Sequence, residues 1–123
     1  MRIELDPTSR VPPAAQLREL LARRIVSGSL RPGERLPPVR ELAVSLGVAP
    51  GTVARAYREL VRAGFLVAQR RRGTFVAERL PLPADRRAAQ LDRAASAYAR
   101  RARQLGASRV EAVRAVERAW GTG

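Results

Sequence analysis

Arg55, Arg58 and Arg62 recur at spacings of three and four, so a helix would set them on one face together with Gly51. Arg70, Arg71 and Arg72 form an unbroken run just before Gly73 and Thr74, and Arg40 stands ahead of both groups. The chemistry open to these side chains is ionic and non-covalent. A guanidinium is a planar fork of donors that holds a phosphate, or the edge of a guanine, through parallel hydrogen bonds. The partner that suits them is a polyanion.

Charge agrees with that partner. All 24 basic residues are arginine, against 11 acids, which leaves a net charge of +13 on 123 residues. A GC-rich coding sequence would equally favour arginine over lysine, but it does not account for the excess of base over acid.

Other chemistry is excluded by absence. With no cysteine and no histidine, the chain has no thiol redox chemistry, no disulfide, none of the usual structural zinc sets and no imidazole base. Asp6, Glu19, Glu34 and Asp92 lie scattered among arginines, which is the pattern of surface pairing rather than of a tuned acid and base. Gly28, Gly33 and Gly73 stand singly at turns and form no phosphate loop. No catalytic activity, metal or cofactor is expected. The opening MRIELDPTSR lacks the apolar core of a signal peptide, and no apolar run approaches the roughly 20 residues of a membrane helix. A cytoplasmic chain with no membrane partner is expected.

The elements that must position the arginines can be read from periodicity. The pattern predicts a mainly α fold with a small β wing (α+β): a winged helix-turn-helix over residues 1–79, then a linker and two-helix dimerisation region over 80–123. Arg2–Leu5 reads as a short strand from its alternation. Leu17, Leu20, Leu21 and Ile25 mark a first helix ending at Gly28, and the proline-rich Leu30–Pro38 reads as a connection rather than an element. A second helix from about Pro38 to Leu46 should bury Val39, Leu42, Ala43 and Leu46 and turn Arg40 and Glu41 outward. Gly47 supplies a sharp turn. A third helix starting at Ala49-Pro50-Gly51 should bury Val53, Ala56, Tyr57 and Leu60, with Gly51, Arg55, Arg58 and Arg62 opposite. Phe65–Gln69 should then pair with Thr74–Ala77 across Arg70-Arg71-Arg72-Gly73.

Four pieces in this order resemble the head of the GntR family of bacterial transcription regulators. They are Ile25-Val26-Ser27-Gly28-Ser29-Leu30-Arg31-Pro32-Gly33, Leu36-Pro37-Pro38-Val39-Arg40-Glu41-Leu42-Ala43, Thr52-Val53-Ala54-Arg55-Ala56-Tyr57-Arg58-Glu59-Leu60 and Gly73-Thr74-Phe75-Val76. The short tail, and Pro50 just before the third helix, narrow the resemblance to the YtrA-like subfamily, in which about two helices serve dimerisation. The resemblance implies that Arg40 touches DNA near the groove edge. It also marks a departure: the family commonly carries a serine where this chain has Pro38, so one phosphate contact expected of a hydroxyl is missing.

A helix fits the major groove, where Gly51, Thr52 and Arg55 at its start are placed to read bases, while Arg58 and Arg62 further along suit phosphates. Arg70, Arg71 and Arg72, with Gly73 and Thr74, suit a minor groove whose narrow stretches concentrate negative potential. Each has a plainer reading. Arg58 and Arg62 are also what a solvated face looks like, Arg58 within reach of a carboxylate such as Glu41, and the arginine run also suits a soluble hairpin tip. Tyr57 lies in the apolar stripe, so core packing is favoured over base stacking.

In the tail, Leu80-Pro81-Leu82-Pro83 reads as a stiff linker and Asp85 as the N-cap of a fourth helix. That helix carries Leu91, Ala94, Ala95, Tyr98, Ala102 and Leu105 as a stripe and stops at Gly106. Ser108 and Glu111 have capping-box spacing for a fifth helix bearing Val110, Val113, Val116 and Trp120. Two such short helices cannot bury both stripes alone, which points to a homodimer; the competing arrangement folds the tail back on its own head. The function expected is a sequence-specific transcription regulator, a repressor that binds a palindromic double-stranded DNA operator as a homodimer. No effector is assigned. The alternatives are an architectural or RNA-binding winged-helix protein with little sequence preference, and a protein-interaction adaptor that uses the tail.

Overall fold

A computed structural model describes residues 2–121. The elements run α1 (Pro13–Ser27), α2 (Val39–Leu46), α3 (Pro50–Ala63), β1 (Leu66–Gln69), β2 (Gly73–Val76), α4 (Ala84–Gln104) and α5 (Arg109–Trp120). The chain divides into two compact units between Pro81 and Leu82. The architecture is the mainly α fold with a small β wing that the periodicity predicts.

Proline rather than a capping side chain starts each helix of the first unit. Pro12 and Pro38 occupy the N-cap positions of α1 and α2, and Pro50 stands in the first turn of α3 behind Ala49. A proline there removes an N–H that would lack an intrahelical partner anyway and presets φ. Between α2 and α3, Gly47 takes φ 69° and its N–H closes back on α2, a left-handed conformation that sharpens the turn and favours glycine.

The core gathers around α3, which packs on α1, α2 and β1. Leu17, Leu21 and Ile25 of α1, Leu42 and Ala43 of α2, Val53, Ala56, Tyr57 and Leu60 of α3, and Leu66 and Val76 of the hairpin are all buried. Val39 and Leu46 pack against this core from a half-buried position. Each full-sized side chain taken out of water here contributes about 1.5–3 kcal/mol.

Three expectations are corrected. Arg2–Leu5 forms no strand. Ile3 is buried and Leu5 packs on the core, but the polar backbone that follows is satisfied by side chains: Gln16 accepts from the Asp6 N–H at 2.8 Å and donates to its carbonyl at 3.0 Å. Leu30–Pro38 is more than a connection, because Glu34–Leu36 lies alongside β2. The Leu36 N–H donates to Thr74 O at 2.8 Å, the Val76 N–H donates to Glu34 O at 2.8 Å, and Arg35 bridges Phe75. Asp85 does not cap α4. Pro83 takes that position, and Asp85 falls in the first turn, where its charge still complements the helix dipole.

The hairpin pairs Leu66 with Val76 and Gln69 with Gly73, leaving Arg70, Arg71 and Arg72 as its loop. Arg71 itself takes φ 66°, a left-handed conformation unusual for a residue with a side chain.

In the second unit the capping box forms as expected: Ser108 Oγ accepts from the Glu111 N–H at 3.1 Å, and Glu111 Oε1 accepts from the Ser108 N–H at 2.9 Å. Tyr98 Oη donates to Ala112 O at 2.7 Å, joining α4 to α5, and Ala102 is buried beside the turn. Beyond those contacts the helices leave a groove of about 620 Å³ lined by Tyr98, Ala99, Ala102, Ala112, Val113 and Val116. Much of the apolar stripe stays in solvent, with Leu91 67% exposed, Leu105 68% and Trp120 83%.

Candidate nucleic-acid interface

The third helix is the platform. Because Val53, Ala56, Tyr57 and Leu60 are fixed in the core, the opposite face is fixed outward, and Gly51, Arg55, Arg58 and Arg62 are all exposed on it. Thr52, at the flank of that face, is half-buried. No side chain caps the start of α3, so the positive end of its dipole stays directed at whatever lies ahead of the helix, although Pro50 brings no N–H and the Thr52 N–H already donates to Ala49 O at 3.0 Å.

Arg40 is exposed on α2. Its helix is tied to the platform by Tyr57, whose buried phenol donates to Pro37 O at 2.7 Å. Tyr57 is therefore a packing residue, and its hydroxyl has a fixed structural partner. Burial first, and the nearby Glu41 carboxylate second, push its pKa upward.

The ion pairs distinguish one arginine of this face from the others. Among the described residues there are two such contacts, and both converge on Glu59: Arg18 Nη1 lies 2.7 Å from Oε2, and Arg55 Nε lies 3.2 Å from Oε1. Hydrogen bonds from Arg18 first and Arg55 second hold the Glu59 carboxyl below its ordinary pKa. Arg58, placed by its spacing within reach of a carboxylate, pairs with none, and Arg55 does. Arg40, Arg58, Arg62, Arg70, Arg71 and Arg72 enter neither ion pair, so their guanidinium groups stand in solvent without an anionic partner.

The wing follows α3 directly through Gly64. Arg70, Arg71 and Arg72 are exposed at its tip, while Gly73 and Thr74 are half-buried in β2. The sequence reading missed a further wing residue, Arg35. Its Nε lies only 2.8 Å from where a Cβ on Gly73 would stand, so the guanidinium lies across the base of the arginine loop. Glycine is favoured at position 73 by its backbone, which takes φ 121°, a conformation that residues with a side chain rarely adopt. The signal was present in the strand-like Glu34-Arg35-Leu36 between two turn-forming segments, but three residues are too few to show a period.

Residues Leu91, Ala95, Tyr98, Ala102, Leu105, Val113, Val116 and Trp120 lie in the other unit, away from this face in the sequence. Ala102 alone among them is buried. No group of acids among the described residues has the arrangement of a metal site, and none of the described helices is long and apolar enough to cross a membrane.

This geometry is a helix-turn-helix followed by a wing, and comparison with known proteins places it. The sequence profile of the bacterial regulatory proteins of the gntR family matches residues 13–76. The chain belongs to the GntR family. It is 41% identical over 112 residues to the HTH-type transcriptional regulator Rv1152 of Mycobacterium tuberculosis, covering 91% of this chain and 88% of that protein. It is 40% identical over 76 residues to the HTH-type transcriptional repressor YtrA of Bacillus subtilis, spanning 62% of this chain but only 58% of that one.

Among solved structures, YtrA from Sulfolobus acidocaldarius, a GntR-family transcription factor, superposes with a TM-score of 0.57 at 32% identity, over 98% of this chain and 97% of its own. The DNA-binding domain of AraR in complex with operator ORX1 superposes with a TM-score of 0.55 at 33% identity, over 61% of this chain and 95% of its own. Within the GntR family the chain is thus YtrA-like, with a winged head and a short helical tail. Pro38 departs from the serine common in GntR heads, and the structure gives the consequence: α2 begins at Val39 with no side-chain cap.

Proposed function

We propose that this chain is a transcription regulator that binds a specific DNA operator as a homodimer and acts as a repressor. The observation that carries the reading is the exposed face of α3, where Arg55, Arg58 and Arg62 project together with no carboxylate on Arg58 or Arg62, beside a wing tipped by Arg70, Arg71 and Arg72. Gly51 and Thr52 allow close approach at the helix start, and Arg55 reads a base; Arg58, Arg62, Arg40 and the wing arginines hold phosphates or a minor groove. The AraR DNA-binding domain in complex with an operator supports a head that binds operator DNA, and the repressor named YtrA supports the direction of control.

The tail supplies the pair. Its apolar stripes and the groove between α4 and α5 remain in solvent in the single chain. Two copies meeting there place two heads on a two-fold axis, which reads a palindrome with half-sites about one helical turn, or a multiple, apart. The relatives named as transcriptional regulators support action in the cytoplasm with no catalytic step.

Competition binding tests the reading. A duplex selected from a random pool should outcompete scrambled duplex by orders of magnitude. Near-equal affinities would instead support an architectural or RNA-holding role, and binding insensitive to salt would remove the nucleic-acid reading altogether.

A further inference from the structure

We propose that Glu59 is a positioning residue that sets the base selectivity of Arg55. The inference rests on the reading of α3 as the DNA-facing helix, and it assigns a role to a residue of the opposite charge from the rest of that surface.

Arginine has five N–H donors in a rigid fork. Glu59 accepts from Nε of Arg55 at 3.2 Å, and the two terminal nitrogens are left for another partner. Those two donors are the edge that matches the paired acceptors of guanine. Glu59 is itself held in place, because Arg18 of α1 donates to its other oxygen at 2.7 Å. The carboxylate is thus anchored from a second helix and in turn restrains a side chain that is 67% exposed.

Helix stability does not account for the arrangement. A partly exposed ion pair contributes little, and an arginine four residues before a glutamate is the less favourable order along a helix. The tie from Arg18 to Glu59 does join α1 to α3, but that tie needs only one carboxylate oxygen. The second oxygen goes to the arginine placed to read bases.

Two consequences follow for binding. A restrained guanidinium loses less freedom when it docks, so the matched base is favoured. The adjacent carboxylate also offsets the pull of Arg55 toward any nearby phosphate, so binding to unmatched DNA is weakened. Glu59 therefore widens the gap between matched and unmatched sequence from both sides.

The test uses the full chain and two probes: a duplex selected by the wild-type protein from a random pool, and the same duplex scrambled. Glu59→Ala is expected to lower the preference for the selected duplex about tenfold, by weakening the first and tightening the second, and to steepen the salt dependence on scrambled duplex by about one ion. Glu59→Gln, which keeps an acceptor for Nε, should fall between. In an Arg55→Ala background, Glu59→Ala should leave the preference unchanged. Circular dichroism and melting check that each variant is folded, and the glutamine variant carries the measurement where alanine does not fold. An unchanged preference in Glu59→Gln and Glu59→Ala, or an equal loss on both duplexes, overturns the role of Glu59. A wild-type chain with no preference for any duplex overturns the base-reading assignment itself.

Discussion

Tyr57 of α3 donates its phenol to the carbonyl of Pro37 at 2.7 Å, twenty residues back along the chain and just ahead of α2. One side chain thereby fixes the entry of the first helix of the helix-turn-helix against the second. Arg40 and the α3 arginines are then presented by one rigid unit rather than by two helices free to slide.

The same residue gives the head a defined response to alkali. Burial first and the Glu41 carboxylate second raise the Tyr57 pKa above its ordinary 10.0. The unfolded chain loses this proton near the ordinary value while the folded chain keeps it, so the stabilisation is complete below about pH 10 and is lost as pH rises toward the folded value. Denaturant unfolding between about pH 8 and about pH 11 should show stability falling in a Tyr98→Phe chain, whose phenolate signal reports Tyr57 alone. Tyr57→Phe should cost about 1 kcal/mol near neutral pH and flatten the alkaline slope. A slope that survives in Tyr57→Phe would assign it to another group.

On α3 the division of labour among arginines is measurable. Arg55→Ala should weaken binding to the selected operator by about 1–3 kcal/mol and relax preference at one base pair, whereas Arg62→Ala should weaken all duplexes alike and reduce the salt slope by about one. Binding titrations against single-base operator variants separate these outcomes. Equal loss on every sequence from Arg55→Ala would remove it from base reading.

Arg35 extends the wing surface. Its guanidinium lies against Gly73 and belongs to neither ion pair among the described residues. Arg35→Ala should lower affinity for every duplex and reduce the salt slope by about one, with the fold intact because Arg35 is exposed and its backbone bonds to β2 do not depend on the side chain. Unchanged affinity across a salt series would confine Arg35 to packing over Gly73.

The wing tip trades stability for charge. Arg71 holds φ 66°, where a Cβ meets the carbonyl that follows, at a cost of about 1–2 kcal/mol. Arg71→Gly relieves that strain, though glycine returns part of the gain as chain entropy, so the net stabilisation should be below about 1 kcal/mol. Affinity for duplex should fall at the same time. A melting curve paired with a binding titration tests both; loss of stability would show that the arginine side chain holds the turn.

What the sequence reveals depends on how local the cause is. The stripe of Val53, Ala56, Tyr57 and Leu60 repeats within one helix, so its burial, and the outward face carrying Arg55, Arg58 and Arg62, follow from spacing alone. The capping box of Ser108 and Glu111 is equally local. Glu34–Leu36 joins β2 across some forty residues, and Glu59 meets Arg18 across 41, so nothing near either segment announces the contact. Asp85 misled for a different reason: Pro83 had already fixed the backbone at the position where an acid would cap.

The tail gives the last prediction. Val113 and Val116 line the groove between α4 and α5, and both remain partly exposed in the single chain, at 49% and 42%. If two copies pair through this surface, Val113→Arg together with Val116→Glu places charge where apolar area must be buried, and the full-length chain should sediment as a monomer. A chain ended after Pro83 should do the same while keeping its fold, since Leu80 still packs on the head core and Pro81 still sits against Gly64. Losing the pair turns one bivalent encounter into two separate ones, so affinity for a palindromic duplex should drop by about 100-fold or more, while affinity for a single half-site stays unchanged. A dimer that persists after the tail is removed would move the interface to the head and leave the groove between α4 and α5 for a different partner.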